Sequence, residues 1–427
     1  MRVIVLGGAG DVGSRVVEDM ASRAEVTHVT IADRNEHAAR QLLDKLRQRG
    51  NMPPPQPAPL EGPSVESAPL MPSTAPAASS SAASSGRGGA APLATVSIAI
   101  VDAFKHESLV RAIAGHDVCS SALGPFHLFE VRCARASIEA EVPYCSVCDD
   151  WNAAGDVIDK LDDLAKSKQL LVITGFGATP GVSNLTAAHF ARQMDVATEV
   201  QISCFQPLNA GGGEAVLRHM LFVMSGKLPI WKNGAVQHVR ACSDERRVAF
   251  PQFGSVTLWN MGHAEPVTMY RFMPSLRTVE YRMGFGFGSR LLVWPAYIGC
   301  FAFRWMVTLT VLFFGLLDCL IMKRFPKGKG ALRVDVFGTK DGKPCQETMC
   351  GIGEMREVTG VSLAVGTLLL GLRKGLLPGP ASKGGVYSPE GAMDPPIFLK
   401  ELFSRGFKAW HDVDVKRPIL EAELDAA

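Results

Sequence analysis

The chain has 427 residues, more than one hydrophobic core usually serves, so its length predicts two domains. Hydrophobic residues make up 47% of the chain and charged residues 20%, which is ample material for two cores. The formal net charge of +2 gives no basic field of the kind that nucleic-acid binding requires, so that class of partner is excluded.

Ten cysteines are scattered along the chain, and the first residues form an apolar strand pattern rather than a signal or transit peptide. This pattern predicts reduced thiols and a cytoplasmic protein. Cys145 and Cys148 have the spacing of a redox or zinc motif, but residues three apart in a strand point to opposite faces. No second cysteine or histidine pair completes a tetrahedral site, so we expect no bound metal.

The first predicted element is a strand, Val3–Leu6, that ends abruptly in glycines. Three of these glycines fit the nucleotide-binding pattern G-x-G-x-x-G: Gly8, Gly10 and Gly13. In that pattern the glycines permit a tight turn, a close approach to a pyrophosphate and close packing of helix on strand. Asp11 and Val12 lie in the same turn, and the helix predicted from residue 14 onward would present its first amides to the phosphates.

A second predicted strand ends in Asp33, twenty residues after Gly13. A carboxylate at this position is expected to hydrogen-bond the adenosine ribose hydroxyls of a dinucleotide. Arg34 beside it could pair with a 2′-phosphate, which Asp33 would repel. The sequence therefore predicts NAD or NADP as the cofactor and leaves the choice between them open.

The alternation of predicted strands and helices is interrupted after the helix predicted over 35–49. Residues 50–92 are rich in Pro, Ala, Ser and Gly and contain ten of the 27 prolines, a composition that predicts a disordered insert. Strand and helix patterns then resume, with a strand that ends in Asp102 and another that ends in the Ala122, Leu123 and Gly124 turn. Ligands bind beyond the carboxyl ends of parallel strands, so these residues are further predicted cofactor contacts.

Strands and helices continue to alternate as far as residue 197. The remaining strands are predicted over 142–150 and 170–174, and the remaining helices over 128–139, 157–167 and 184–194. Sustained alternation of this kind is typical of a doubly wound parallel sheet. From Thr198 the alternation is lost, and extended stretches appear at 199–205, 236–241 and 278–283, whereas 360–374 is again helical.

Several short motifs together resemble the saccharopine dehydrogenase-like oxidoreductases. In the first half they are the opening glycines with Asp33, the strand end at Asp102, Gly124-Pro125-Phe126, Tyr144 and, above all, Thr179-Pro-Gly-Val-Ser-Asn184. In the second half they are Gly338-x-x-Asp-Gly342, Thr359-Gly360, Gly384-Gly-Val386, Pro389-Glu390 and Phe403-x-x-Gly406. The motifs are specific for the family and not for one substrate.

The resemblance implies an α/β fold of three parts. An N-terminal Rossmann domain would span 1–197, a second domain on a mixed, largely antiparallel sheet would span 198–355, and a C-terminal segment, 356–427, would return to the first domain. It also implies hydride transfer between a nicotinamide and an imine or secondary-amine carbon of an amino-acid-like substrate, as in lysine metabolism.

Candidate residues for this chemistry are of two kinds. The turn of Pro180, Gly181, Ser183 and Asn184 would offer helix amides to a substrate carboxylate, or would serve only to start a helix. The groups predicted to move a proton are all titratable, and none stands out from the sequence: Tyr144, Asp150, His219 and His263, with His127 and Glu265 in second place. Water could also supply the proton, so an assigned base is not obligatory.

The most hydrophobic part of the chain is 291–322. Arg304 and Asp318 interrupt it, and its longest uncharged runs, Leu291–Phe303 and Trp305–Leu317, fall short of the ~20 residues of a spanning helix. A basic cluster follows: Lys323, Arg324, Lys327 and Lys329. Three interpretations stay open, namely a buried or dimer-interface helix, a peripheral membrane helix and a true span.

The same segment distinguishes the functions that the sequence allows. Besides the oxidoreductase, the alternatives are a non-catalytic or lipid-surface-associated dinucleotide-binding protein and a lipid-linked enoyl reductase on the same fold. A homo-oligomer is also expected.

Overall fold

The computed structural model of the chain describes residues 1–49, 94–210, 214–286, 289–320 and 328–425. The predicted insert at 50–92 lies outside the described residues, as do the last two residues of the hydrophobic segment, Ile321 and Met322.

The N-terminal part is a run of alternating strands and helices. Its strands are β1 (Arg2–Leu6), β2 (His28–Asp33), β3 (Thr95–Ile100), β4 (Val118–Ser121), β5 (Tyr144–Ser146) and β6 (Leu171–Thr174). Its helices are α1 (Asp11–Ala21), α2 (Glu36–Arg49), α3 (His106–Ile113), α4 (Phe126–Glu139), α5 (Trp151–Ser167) and α6 (Val182–Ala191). The strands pair in parallel, and helices cover both faces of the sheet, so Val3, Ile4 and Val5 of β1 are fully buried.

The second part is built on a mixed sheet. Its strands are β7 (Val196–Phe205), β8 (Lys227–Lys232), β9 (Ala235–Arg240), β10 (Arg246–Phe250), β11 (Gly254–Asn260), β12 (Thr278–Gly284), β13 (Gly330–Lys340) and β14 (Lys343–Gly353). Its helices are α7 (Glu214–Val223), α8 (Glu265–Phe272), α9 (Ser289–Ile298) and α10 (Arg304–Leu320). Only β7 and β12 pair in parallel within it, and the other pairs are antiparallel.

The last part of the chain contributes to both sheets. Its elements are α11 (Met355–Gly371), α12 (Pro378–Lys383), β15 (Gly385–Tyr387), α13 (Pro389–Ala392), α14 (Pro395–Phe403) and β16 (Ala409–Trp410). β15 extends the parallel sheet, whose order is β15-β6-β5-β4-β1-β2-β3, and β16 pairs with β14 at the edge of the mixed sheet. The predicted fold class is therefore confirmed, including the return of the C-terminal segment to the first sheet.

Close packing brings α11 against α1. A Cβ on Gly360 would lie 2.7 Å from the Cβ of Arg15, so only glycine allows the two helices this approach. Arg15 also forms an ion pair with Glu357 of α11, with 2.5 Å between its Nε and the carboxylate oxygen. The C-terminal segment is thereby fixed beside the turn that carries the glycine motif.

The hydrophobic segment forms α9, a short 3-10 helix over Cys300–Ala302, and α10. Leu292, Val293 and Ala296 pack inward, but a second apolar stripe faces outward. Its exposed side chains, here called the apolar platform, are Leu291, Trp294, Ile298, Phe303, Trp305, Leu309, Leu312, Phe313 and Leu316. Within the described ranges, no helix combines the length and apolar character needed to cross a bilayer.

Candidate active site

The glycine motif closes a tight turn between β1 and α1. Gly7 has a φ of +69°, and the Gly10 amide donates to the Gly7 carbonyl at 3.0 Å. A Cβ on Gly13 would lie 2.1 Å from that same carbonyl, so Gly13 is required for the helix to sit on the turn. A Cβ on Gly10 would meet only the Gly7 carbonyl, at 3.1 Å, and otherwise open space. Gly10 therefore leaves room for a ligand rather than for packing.

The start of α1 has free donors. Its N-cap residue, Gly10, has no side chain to cap the helix, and the structure gives the amides of Asp11, Val12 and Gly13 no backbone acceptor. Helix N-termini of this kind bind phosphates. Arg356 of α11 reaches the same turn, 3.0 Å from an Asp11 carboxylate oxygen, and adds a cation that the motif does not reveal.

Asp33 lies at the carboxyl end of β2, beside the turn. Its carboxylate accepts from the Ala9 amide at 3.1 Å and from the Asn35 amide at 2.9 Å, which fixes it against the glycine motif and leaves further lone pairs for ribose hydroxyls. Arg34 is exposed next to it. The geometry gives Asp33 the position expected for ribose recognition and leaves the choice between NAD and NADP open.

The other predicted cofactor contacts lie along the same edge of the sheet. Asp102 follows β3 and accepts from the Phe104 amide, and the Ala122 amide donates to the carbonyl of Leu6 as β4 ends. Gly124 is exposed, and a Cβ there would meet nothing within 4 Å. The structure thus brings the loops after β1, β2, β3 and β4 to one rim.

Beyond the carboxyl ends of β5 and β6, four side chains from both domains form an imidazole–carboxylate cluster: Asp149, His219, His263 and Glu265. His219 of α7 forms an ion pair with Asp149, with 3.1 Å between Nε2 and Oδ1. The two groups are not aligned for a hydrogen bond. Burial disfavours the charged His219, but Asp149 outweighs that effect and raises the pKa of the imidazole. Burial likewise opposes ionisation of Asp149, yet His219, with His263 further away, lowers its pKa.

The second pair of the cluster is more deeply buried. His263 Nδ1 hydrogen-bonds Glu265, and its ring stacks on Tyr281 with 3.9 Å between centroids. Glu265 also accepts hydrogen bonds from the hydroxyls of Thr179 and Ser183, which lie in the turn after β6. Burial works against the charge of Glu265, but His263 and the hydrogen bond from Thr179 lower its pKa.

An aromatic stack closes the cleft beside the cluster. Trp151 of α5 stacks on Phe222 of α7 at 5.2 Å, and Phe222 stacks on His127 of α4 at 5.7 Å. A Cβ on Gly262 would lie 2.0 Å from the Trp151 ring, so that glycine admits the indole between the domains. His127 thus forms part of a wall and lies in contact with the helix that carries His219.

Two of the predicted acid–base candidates have partners that favour structural roles. Tyr144 is fully buried and donates to Glu130 at 3.0 Å, and Ser146 and Thr174 also donate to that carboxylate. Asp150 caps α5 by accepting from the amides of Asn152 and Ala153 at 3.0 Å. Its second carboxylate oxygen is buried and has no hydrogen-bond partner in the described part of the chain.

The turn of Pro180, Gly181, Ser183 and Asn184 is satisfied internally. The Gly181 amide donates to the Asn184 side chain, and the amides of Val182 and Ser183 donate to the carbonyls of Gly177 and Ala178. Carboxylate binding by this turn stays a prediction, and the geometry favours positioning of Glu265 instead, since both Ser183 and Asn184 are fully buried.

The cysteine pair shows no sign of reactivity. Cys145 and Cys148 are both fully buried, which raises the pKa of Cys145 to about 12 and that of Cys148 well above its ordinary value. Among the described residues, no group of three or more His, Cys, Asp or Glu side chains is arranged to hold a metal ion.

Residues 3–173 match the family described as the saccharopine dehydrogenase NADP binding domain. The N-terminal domain belongs to the saccharopine dehydrogenase-like NAD(P)-binding family. Its cofactor is NAD or NADP, and the glycine turn, the free amides of α1 and Asp33 fit such a group, because a Cβ at Gly10 would fill the space beside the turn.

Solved structures extend this likeness to the whole chain. The saccharopine dehydrogenase (L-Glu forming) of Saccharomyces cerevisiae is similar at a TM-score of 0.60 and 13% identity, over 95% of this chain and 98% of the yeast chain. The amine dehydrogenase of Mycobacterium smegmatis aligns at a TM-score of 0.45 and 12% identity, over 92% and 96% of the two chains. The yeast comparison shows a shared fold over nearly the whole of both chains.

Three features of the site were not predicted from the sequence. Asp149, rather than Asp150, contacts His219, and Arg356 comes to the cofactor turn from more than three hundred residues away. Glu390 joins the site through Asn184. Acidic residues after a strand were visible as a signal at Asp149, whereas the other two depend on how the C-terminal segment packs.

Proposed function

We propose that this protein is an NAD(P)-dependent oxidoreductase that transfers hydride between the nicotinamide and an imine or secondary-amine carbon of an amino-acid-like substrate. One observation carries the proposal. The imidazole–carboxylate cluster lies beyond the carboxyl ends of β5 and β6, at the edge of the sheet where the cofactor turn also lies. Titratable groups at such an edge are suited to acid–base work on a bound ligand.

The cofactor, when bound, supplies or accepts the hydride, and the protein holds the cofactor, binds the substrate and moves the proton. Amides of α1 would hold the pyrophosphate and Asp33 the ribose. His263 would give a proton to the substrate nitrogen or take one from it, and Glu265 holds the imidazole in place through its Nδ1. His219, kept charged by Asp149, would face an anionic group of the substrate.

The nature of the substrate is supported by the charges of this cleft. Asp149 is partly exposed, and Asp150 has a buried carboxylate oxygen without a partner among the described residues. Two carboxylates beside two imidazoles suit a substrate that carries a cationic nitrogen and an anionic group. Arginines that could have bound a carboxylate are engaged elsewhere, because Arg271 pairs with Asp159 and Arg282 with Glu280.

Turnover of NAD(P)H at 340 nm tests the proposal. The purified protein would be assayed with imines formed from amino acids and oxo acids, and with the corresponding secondary amines in reverse. His263→Gln should lower kcat by about 100-fold or more, the usual share of a general acid or base, and leave nucleotide affinity unchanged. His106→Gln, at an exposed histidine paired with Glu139, is the matched control. Equal activity of both variants would show that His263 does not transfer a proton in the reaction.

A second function is favoured by the apolar platform. Nine large apolar side chains, eight on α9 and α10 and Phe303 between them, are more than half exposed, and patches of this kind mark contact surfaces. Arg304 lies between Phe303 and Trp305 of the platform and Lys329 is exposed after it, whereas Arg290 is paired with Glu245 and Asp318 is the one acidic residue of α10. We propose that the platform docks on a lipid surface that has anionic headgroups.

Flotation with vesicles that contain phosphatidylserine tests this docking. The intact protein should float, and a variant with Leu312→Lys and Phe313→Lys should stay in the soluble fraction while it remains folded. Matched changes at Val196 and Val236, which are exposed outside the platform, provide the control. A wild-type protein that never floats but dissociates from dimer to monomer in the platform variant would assign the platform to a homo-oligomer instead.

Turnover also separates the alternatives within this second function. A floating protein that binds nucleotide without turnover would be a lipid-associated dinucleotide-binding protein. Turnover only with a lipid-linked enoyl substrate would make it a reductase of that class.

A further inference from the structure

A chain of buried hydrogen bonds connects the C-terminal segment to the His263–Glu265 pair. Ser183 donates to Glu265 at 2.9 Å, and the neighbouring Asn184 donates through its side-chain nitrogen to Glu390 at 2.8 Å. Ser388 donates to the other oxygen of Glu390 at 2.7 Å. Ser183, Asn184 and Glu265 are fully buried, and Glu390 is 5% exposed.

This arrangement places two carboxylates in one buried network beside a single imidazole. Glu265 has an imidazole partner in His263, whereas the groups that donate to Glu390 within the described part of the chain are uncharged: the side chains of Ser388 and Asn184 and a backbone amide. A buried carboxyl group that has no cation beside it is more stable in its protonated, uncharged form than as a carboxylate. Burial accordingly raises the pKa of Glu390 to about 7, and the charge of Glu265 adds to the effect, although the two hydrogen bonds oppose it.

Other titratable groups near α13 do not neutralise Glu390. α13 packs against α6, α8, α12, β6 and β15, and the only charged residue of α12, Lys383, is exposed. On these elements His189 contacts Gln193, Arg271 pairs with Asp159, and the Tyr387 hydroxyl donates to the Gly384 carbonyl. Glu265 of α8 is therefore the charged group that acts on Glu390.

We propose that Glu390 is a positioning residue of the candidate active site, which in its uncharged form holds Asn184 and Ser183 against Glu265 and leaves the His263–Glu265 pair electrically balanced. Loss of the Glu390 proton places a second negative charge in the network, and the imidazole then retains its proton more tightly. Proton donation by His263 to a substrate is hindered in that state. The catalytic part of this inference rests on the proposed function.

Infrared spectroscopy tests the charge of Glu390 without any substrate. The wild-type protein should show the carbonyl band of a buried protonated carboxyl group at pH 6, and the band should vanish by pH 8.5. Glu390→Gln, an isostere that can still accept from Asn184 and donate to Ser388, should lack the part of the band that vanishes between pH 6 and 8.5, whereas any band of Glu130, whose pKa burial also raises, is common to both proteins. A band that is unchanged in Glu390→Gln, or absent from the wild type at pH 6, would overturn the proposal.

The pH profile of imine reduction tests the positioning role. If only the uncharged form is competent, wild-type kcat should fall by about tenfold per pH unit above 7, whereas in Glu390→Gln the fall should be less steep and should begin at higher pH, because only the proton donor itself still titrates. Ser388→Ala removes one hydrogen bond that favours the carboxylate, so its profile should shift to higher pH. Identical profiles of the wild type and Glu390→Gln would contradict the role of Glu390.

The two proposals fail separately. A protein with the infrared band but no turnover on any imine would disprove the proposed function and leave the charge assignment standing. Turnover that persists without the band would disprove the charge assignment alone. If Glu390→Gln does not fold, Ser388→Ala supplies both measurements, since it keeps the carboxyl group and changes only its partner.

Discussion

The cofactor side and the substrate side of the cleft are built in opposite ways. Most of the cofactor side comes from one contiguous stretch, β1, the glycine turn, α1 and β2, which ends at Asp33, and the loops after β3 and β4 and Arg356 of α11 complete it. The substrate side takes Asp149 from the first domain, His219, His263 and Glu265 from the second, and Glu390 from the C-terminal segment. A local motif therefore identifies the class of cofactor, whereas the groups proposed to move protons depend on the packing of all three parts.

The largest effect is expected from alanine substitutions at two glycines of the cofactor turn. Gly10 borders open space that a ligand could fill, whereas Gly13 is packed against the turn. Gly10→Ala should fold normally, since its Cβ meets only the Gly7 carbonyl at 3.1 Å, yet weaken nucleotide binding more than about tenfold, or ~1.4 kcal/mol. Gly13→Ala puts a Cβ 2.1 Å from that carbonyl, so it should also lower the free energy of unfolding by roughly 1–3 kcal/mol.

Titration calorimetry with NAD and NADP, beside denaturant unfolding of each variant, measures both effects. Equal nucleotide affinity of the wild type and Gly10→Ala would show that the pyrophosphate does not approach this turn.

Features that depend on local sequence could be predicted, whereas features that depend on long-range packing could not. Apolar runs ended by glycine or aspartate gave the parallel sheet and Asp33, because strand pattern and turn chemistry are local. His219 and His263 were candidates only as titratable groups, since nothing local indicates that they meet Asp149 and Glu265. The apolar platform was recognised as hydrophobic, but its exposure follows from which stripe of α9 and α10 packs inward.

A smaller effect is expected from the His219–Asp149 pair on the substrate side. Asp149 raises the pKa of His219 above 6.5, and His219 lowers that of Asp149 below 3.8. The pair therefore stabilises the folded state fully between about pH 4 and 6.5. This contribution is lost as pH rises through the pKa of His219, and also as pH falls through that of Asp149.

Asp149→Asn should accordingly destabilise the protein more at pH 5.5 than at pH 8.5. The difference should be about 1 kcal/mol or more, since one pKa unit corresponds to ~1.4 kcal/mol. Urea unfolding at the two pH values measures it, and Asp159→Asn, at an exposed aspartate that pairs with Arg271, is the control. A pH-independent loss of stability would mean that the contact is not an ion pair.

The smallest expected effect concerns the choice of cofactor, which neither the sequence nor the fold decides. Asp33→Asn keeps one oxygen for the Ala9 amide and gives up the acceptor of the Asn35 amide, and it removes the charge that repels a 2′-phosphate. Affinity for NADP should rise by a few fold, with Arg34 free to pair with the phosphate, and affinity for NAD should fall by a similar factor because ribose hydroxyls prefer a charged acceptor. Fluorescence titration with the two reduced cofactors measures the ratio. An unchanged ratio would place the ribose away from Asp33, and the cofactor side would then depend on long-range packing as much as the substrate side does.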